Sequence, residues 1–160
     1  MTLVEVINLI ALVVGPLFAV IVGQKLQIRK EVREDKMKIF RTLMVSRAYP
    51  WTQNMVDALN MIDIVFVDDI PVRNAWKDLF DKYSVVNADE AHIIKVKNAQ
   101  YRLLESMANS LGYKNKIDWE TIQNPYLPRG LQNQLDLQMQ NQEVSNYILN
   151  SMKESFTNTM

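Results

Sequence analysis

The chain has 160 residues, with 18 Lys and Arg, 18 Asp and Glu, one His and no Cys. That length suits one small domain with its own core, and the absence of thiols excludes disulfides, cysteine nucleophiles and zinc sites built from Cys and His. The zero net charge is unevenly placed: residues 25–41 hold seven Lys or Arg against three acids, and residues 42–160 hold eleven against fourteen.

Residues 3–23 contain fourteen Leu, Ile, Val or Phe and a single charge, Glu5. Those fourteen side chains favour insertion by roughly 4 to 8 kcal/mol, and 21 helical residues reach about 31 Å, the depth of a bilayer's hydrocarbon core. No Lys or Arg precedes the run, which argues against a cleaved signal peptide. Seven cations follow it and place the C-terminal side in the cytoplasm. The expected protein is therefore a single-pass inner-membrane protein with its N-terminus outside. It has a transmembrane helix over 1–24, a juxtamembrane basic helix over 25–48 and a cytoplasmic helical domain over 49–160.

The first helix is predicted to continue without a break to about Ala48, because Leu26, Ile28, Val32, Met37, Ile39, Phe40, Leu43 and Met44 form a helical stripe. Tyr49-Pro50 stops it. Thr52 is placed to cap a second helix with Met55, Leu59, Ile62 and Phe66 on one face. After Asp68 and Asp69, Pro71 suits the first turn of a helix carrying Val72, Trp76, Leu79, Phe80 and Tyr83. Asn87 and Glu90 have capping-box spacing before the next helix. Its buried face is drawn from Ile93 or Ile94, Val96, Tyr101, Leu104, Met107, Ala108 and Leu111, and Gly112 ends it. The connector "NPYLPRG" precedes an amphipathic Gln/Asn-rich helix with Leu131, Leu135, Met139, Ile148, Met152 and Phe156. The stretch "IDIVFVDDI" allows one short strand, but the soluble part is predicted all-α.

The membrane helix is two-sided. At 100° per residue, with Ala11 at zero, Gly15, Ala19 and Gly23 fall at about 40°, 80° and 120°, and Asn8 and Glu5 at about 60° and 120°. The opposite half carries only bulky apolar residues such as Leu9, Val13, Leu17 and Val20. Small residues let helix backbones approach in lipid, so Ala11, Gly15, Ala19 and Gly23 form the expected helix-packing edge. Polar residues in a span usually face a bundle interior, which makes Glu5 and Asn8 candidates for a pore lining. Two arrangements stay open: a tight helix pair, or several helices around a polar mouth.

Lys25, Arg29, Lys30 and Arg33 lead the basic block and are expected to meet anionic lipid headgroups, at about 1 kcal/mol per cation. Lys36, Lys38 and Arg41 continue it, interleaved with acids as on a solvated face, so direct nucleic-acid binding is not expected. His92 sits beside Asp89 and Glu90 with no second His and no serine elbow, and reads as a surface residue. Asp69, before Ile-Pro, reads as a helix cap; Trp51, Trp76 and Trp119 read as core or interface anchors. No catalytic, cofactor or metal residues emerge, and the chain is not read as an enzyme.

The stretches "KIFRTLMVSRA", "DALNMIDIVF", "NAWKDLF" and "LLESMANSLGY" resemble those of small single-span bacterial membrane proteins with an uncharacterised helical domain. In size and layout the chain also resembles the membrane accessory proteins of type VI-B CRISPR systems, whose effector is an RNA-guided ribonuclease. That resemblance implies a homo-oligomeric membrane pore that strengthens antiphage defence, with the effector or its products as partner. It also implies a diverged HEPN fold, whose nuclease motif is an Arg separated from a following His by four to six residues. Here Val85, Val86 and Asn87 occupy the positions that would pair with His92, so nuclease chemistry is not implied. The expected function is thus a self-associating single-pass membrane protein acting as a pore. The alternative is a membrane tether that recruits a cytoplasmic effector without pore activity.

Overall fold

The computed structural model describes residues 2–49, 51–86, 89–117 and 119–157, with the side chains of 3–11, 13 and 154–157 outside the described set. Among the described residues the chain is all-helical. It divides into two compact units, residues 1–124 and 125–160.

In the first unit, helix α1 (Leu3–Ser46) is continuous for 44 residues, about 66 Å, with Pro16 inside it. No backbone break separates the expected span from the basic block. The end of α1 is not a packing boundary either: Ile39, Phe40, Leu43 and Ser46 are buried in the core of the helical domain. Tyr49 closes a turn onto Ser46, and Thr52 then caps α2 (Gln53–Asn60) by accepting from the Met55 amide at 3.3 Å.

The single helix expected over 53–66 is divided at Met61, whose amide reaches back only three residues to Ala58 at 3.3 Å. The division preserves the apolar face. Met55, Leu59, Ile62 and Phe66 are all buried, the last two completely. The second piece, α3 (Ile62–Val65), occupies the stretch where a short strand had been allowed.

Helix α4 (Ile70–Tyr83) carries its proline in the first turn and buries Val72 and Leu79. Trp76 and Tyr83 are half-buried, and Phe80, expected inside, is 56% exposed. Helix α5 (Glu90–Ser110) buries Ala99, Leu103, Leu104, Met107 and Ala108, whereas Ile93 and Ile94 are both exposed. The buried positions begin only at Ala99, three turns into the helix. The observed N-cap is Asp89, which accepts from the His92 amide at 2.7 Å; Asn87 lies outside the described residues.

Gly112 ends α5 as expected. At φ +85 it takes a left-handed conformation that a Cβ would strain. The Tyr113 amide bonds to Ala108 at 2.8 Å and the Gly112 amide to Asn109 at 3.1 Å, the two bonds of a Schellman cap. A short helix, α6 (Trp119–Gln123), delivers fully buried Ile122 to the core.

Contacts with α1 fix the directions of the other helices. Phe66, at the end of α3, lies beneath Lys36, and Leu111, at the end of α5, is reached by Arg33. Both α2–α3 and α5 therefore run back along α1 toward its basic segment. The second unit contains α7 (Arg129–Thr157), 29 residues long. Leu131 and Leu135 are half-buried, while Leu137, Met139, Val144 and Ile148 are exposed. Phe156 falls outside the described side chains.

Candidate functional site

Helix α1 divides by burial. From residue 14 to residue 35 every position is exposed, including Leu17, Phe18, Val20, Ile21, Leu26 and Ile28. These large apolar side chains are uncovered among the described residues. Among the described residues, no helix is long and apolar enough to cross a membrane. The expected span draws also on the side chains of 3–11 and 13, which lie outside that set.

The small-residue edge is open where it is described. Gly15, Ala19 and Gly23 are exposed, and a Cβ built on either glycine meets nothing within 4 Å. Another helix backbone thus has room to approach this edge. The side chains of Ala11, Glu5 and Asn8 lie outside the described residues.

The four expected headgroup cations do not behave alike. Lys25 and Arg29 are exposed, and Lys30 pairs with Glu34 at 3.7 Å on the surface. Arg33 turns into the domain, where its Nη2 donates to the Leu111 carbonyl at 3.0 Å. That oxygen belongs to the C-cap of α5, where unpaired carbonyls and the helix dipole favour a cation. One turn on, Lys36 stands 5.1 Å above the Phe66 ring and 3.7 Å from the Asp69 carboxylate.

Asp69 occupies the N-cap position of α4 but makes no side-chain capping bond, which corrects the expected role. Its carboxylate instead faces Lys36 and accepts from the Ser110 hydroxyl, joining α1, α4 and the end of α5.

Arg47 makes the corresponding contact at the other end of the packed segment. Its Nε donates to Ile122 O at 2.9 Å, its Nη2 to Thr121 O at 3.1 Å, and its Nη1 to Met44 O. Burial holds its pKa below the ordinary arginine value, partly offset by Tyr101. Between the two arginines, Phe40 stacks on Tyr113 with ring centroids 6.3 Å apart. Arg33, Phe40 and Arg47 are seven residues apart each, so one edge of α1 carries a ring flanked by two helix-capping cations. Arg33 was expected at lipid headgroups, and Arg47 carried no expected role. The detectable signal was their heptad spacing around Phe40.

His92 is half-buried, and its Nε2 lies 2.9 Å from the Lys82 carbonyl, tying the start of α5 to the end of α4. The tryptophans pair with other rings at the rim of the core: Trp51 with Tyr83 at 4.6 Å, Trp76 with Phe80 at 5.7 Å and Trp119 with Tyr101 at 6.0 Å. Open cavities border these helices. One of about 580 Å³ lies along α3 and α4 between Asp63, Arg73, Trp76 and Phe80, where Arg73 and Asp63 pair at 3.3 Å. Another, about 570 Å³, lies between α1 and α2 and includes Asp35, Ile39, Asp57 and Met61. Among the described residues, no three His, Asp or Glu come together as a metal would need.

DUF6680, a family of unknown function, matches residues 1–158, and the chain belongs to it. No curated protein and no solved structure matches it.

Proposed function

We propose that this DUF6680 protein is a self-associating single-pass protein of the bacterial inner membrane. Residues 3–23 cross the bilayer with the N-terminus outside, and α2 to α7 lie on the cytoplasmic side. One observation carries the reading: α1 continues unbroken from the apolar segment into the domain, yet among its described side chains packs against the domain only from its basic segment onward. Copies meet along Ala11, Gly15, Ala19 and Gly23, an edge open at both described glycines. Lys25, Arg29 and Lys30 meet lipid headgroups.

The mass of the detergent-solubilised protein tests this. A defined oligomer is expected, and Gly15→Leu with Ala19→Leu should shift it toward monomer. A monomer before any substitution rejects self-association.

The resemblance to type VI-B CRISPR accessories extends the proposal to a pore with Glu5 and Asn8 in its lining, acting in antiphage defence beside an RNA-guided effector. Glu5→Lys should then change the conductance of reconstituted protein. An unchanged conductance removes Glu5 from the lining.

A tether without pore activity is the second reading, favoured by the position of the core. Among the described side chains the first buried position of α1 is Ile39, so the described part of the apolar segment adds nothing to the core. A tether binds its partner in membranes while vesicles containing it stay sealed, and leakage from vesicles holding this protein alone speaks against it.

A further inference from the structure

We propose that the groove between α1 and α2 receives the outer edge of α5 from a second copy of this chain, in a head-to-tail contact. This rests on the membrane-assembly reading and adds the contact between the cytoplasmic domains.

The groove has an apolar floor of Ile39, Met61 and Val65, with Asp35 and Asp57 against the single cation Lys38. Residues 48–72 contain no Lys or Arg, and of their four Asp, Asp63 and Asp69 pair with Arg73 and Lys36 outside the groove. Asp57 is exposed and accepts only from Gln53 on its own helix, at 2.8 Å. A symmetric contact of this groove with itself would set acid against acid. The surface that fits it is cationic and carries a bulky apolar side chain.

The outer edge of α5 has that composition. Lys95, Asn98 and Arg102 are exposed and follow one another at steps of three and four residues, with exposed Ile94 beside them. Lys95 and Arg102 lie two turns apart, about 10 Å.

Height and direction agree as well. Asp57 lies nine residues before Phe66, which stands at Lys36, and Arg102 lies nine residues before Leu111, which stands at Arg33. Arg102, within continuous α5, is therefore about 14 Å farther from the basic end of α1 than Leu111, and Asp57, across the division at Met61, lies on the corresponding side of Phe66. Copies sharing one membrane plane then hold both groups on the same side of their anchors. Around α1, with Ile39 at zero, the groove residues Asp35 and Thr42 fall near −40° and −60°. Arg33, Phe40 and Arg47, which face α5 and α6, fall near 120°, 100° and 80°. The groove and α5 thus lie on different sides of α1, so the two surfaces are separate on one chain, as a heterologous contact requires.

The absence of native cysteine makes the test direct. Asn54 lines the groove and Asn98 lies on the α5 edge, so Asn54→Cys and Asn98→Cys report the contact without removing its charges. In full-length protein in membranes, two differently tagged copies carrying one substitution each should form a disulfide-linked dimer under mild oxidation. The doubly substituted chain should give products larger than dimers. Arg102→Glu in the Asn98→Cys copy should lower the yield several-fold, and Asp57→Arg in the Asn54→Cys copy should restore it.

Cross-linking of Asn54→Cys chains with one another overturns the proposal. So does an uncross-linked mixture whose mass still shows the oligomer, a result that leaves assembly through the membrane helix standing. Failure of Asp57→Arg to restore the yield removes the charge pairing, and a monomeric unsubstituted protein overturns both readings.

Discussion

Arg33 donates to the carbonyl of Leu111 across 78 residues of sequence, at 3.0 Å. A residue of the basic block thereby closes the end of α5, beside the Schellman turn at Gly112. The contact joins the segment leaving the membrane, on the proposed reading, to the longest helix of the core unit after α1. Arg33→Gln should lower stability by about 1 kcal/mol, the typical worth of a partly exposed charge-assisted bond at a helix end. Thermal unfolding measures the loss, and faster amide exchange in residues 109–113 would assign it to this contact.

Arg47 should matter more, because one side chain serves carbonyls of both α1 and α6. Arg47→Ala is expected to cost about 2 kcal/mol by leaving part-buried acceptors without their donor. Release of α6 should also separate Trp119 from Tyr101, so a change in tryptophan emission should accompany the fall in melting temperature. A stability loss with unchanged Trp119 emission would place the effect elsewhere.

Phe66 is fully buried beneath Lys36. Truncating it opens a cavity at the junction of α3 with α1, and Phe66→Ala should cost about 3 to 5 kcal/mol. Phe66→Leu should cost much less, since it keeps most of the volume. Chemical denaturation of the two variants compares these losses.

Tyr83 supplies a pH signature. Burial beside Trp51 raises its hydroxyl pKa from 10.0 to about 12. The folded state favours the neutral phenol, so the full contribution is present below pH 10 and is lost as pH rises from 10 through about 12. Over that interval the melting temperature of the protein should fall more steeply than that of Tyr83→Phe. Parallel curves would show that Tyr83 ionises no differently in the folded chain.

Removing residues 1–30 should leave the helical domain folded, because among the described side chains the packed contacts of α1 begin with Arg33. A chain beginning at Lys36 loses that contact and should melt at a lower temperature than one beginning at Glu31. Equal melting temperatures would count against a structural role for Arg33.

Much of the helical order was legible because its signals are local. Thr52 and the Met55 amide are three residues apart, as are the Gly112 turn and its Asn109 acceptor. Met55, Leu59, Ile62 and Phe66 revealed their common face through spacing alone. Helix α6 escaped notice because five residues are too few to show a period, although Ile122 is fully buried. Phe80, Ile93 and Ile94 have the right character for a core but lie at positions that the packing leaves outside.

By itself, the sequence determined where the longer helices form and that α1 joins an apolar stretch to a basic one, since propensity, caps and periodicity act within a few residues. Only the tertiary structure decided that Arg33 and Arg47 close helix ends and that Asp69 faces Lys36 instead of capping α4. A charged side chain takes its role from whichever unpaired carbonyl or carboxylate the fold brings within about 3 to 4 Å, and for the two arginines that partner lies more than seventy residues away.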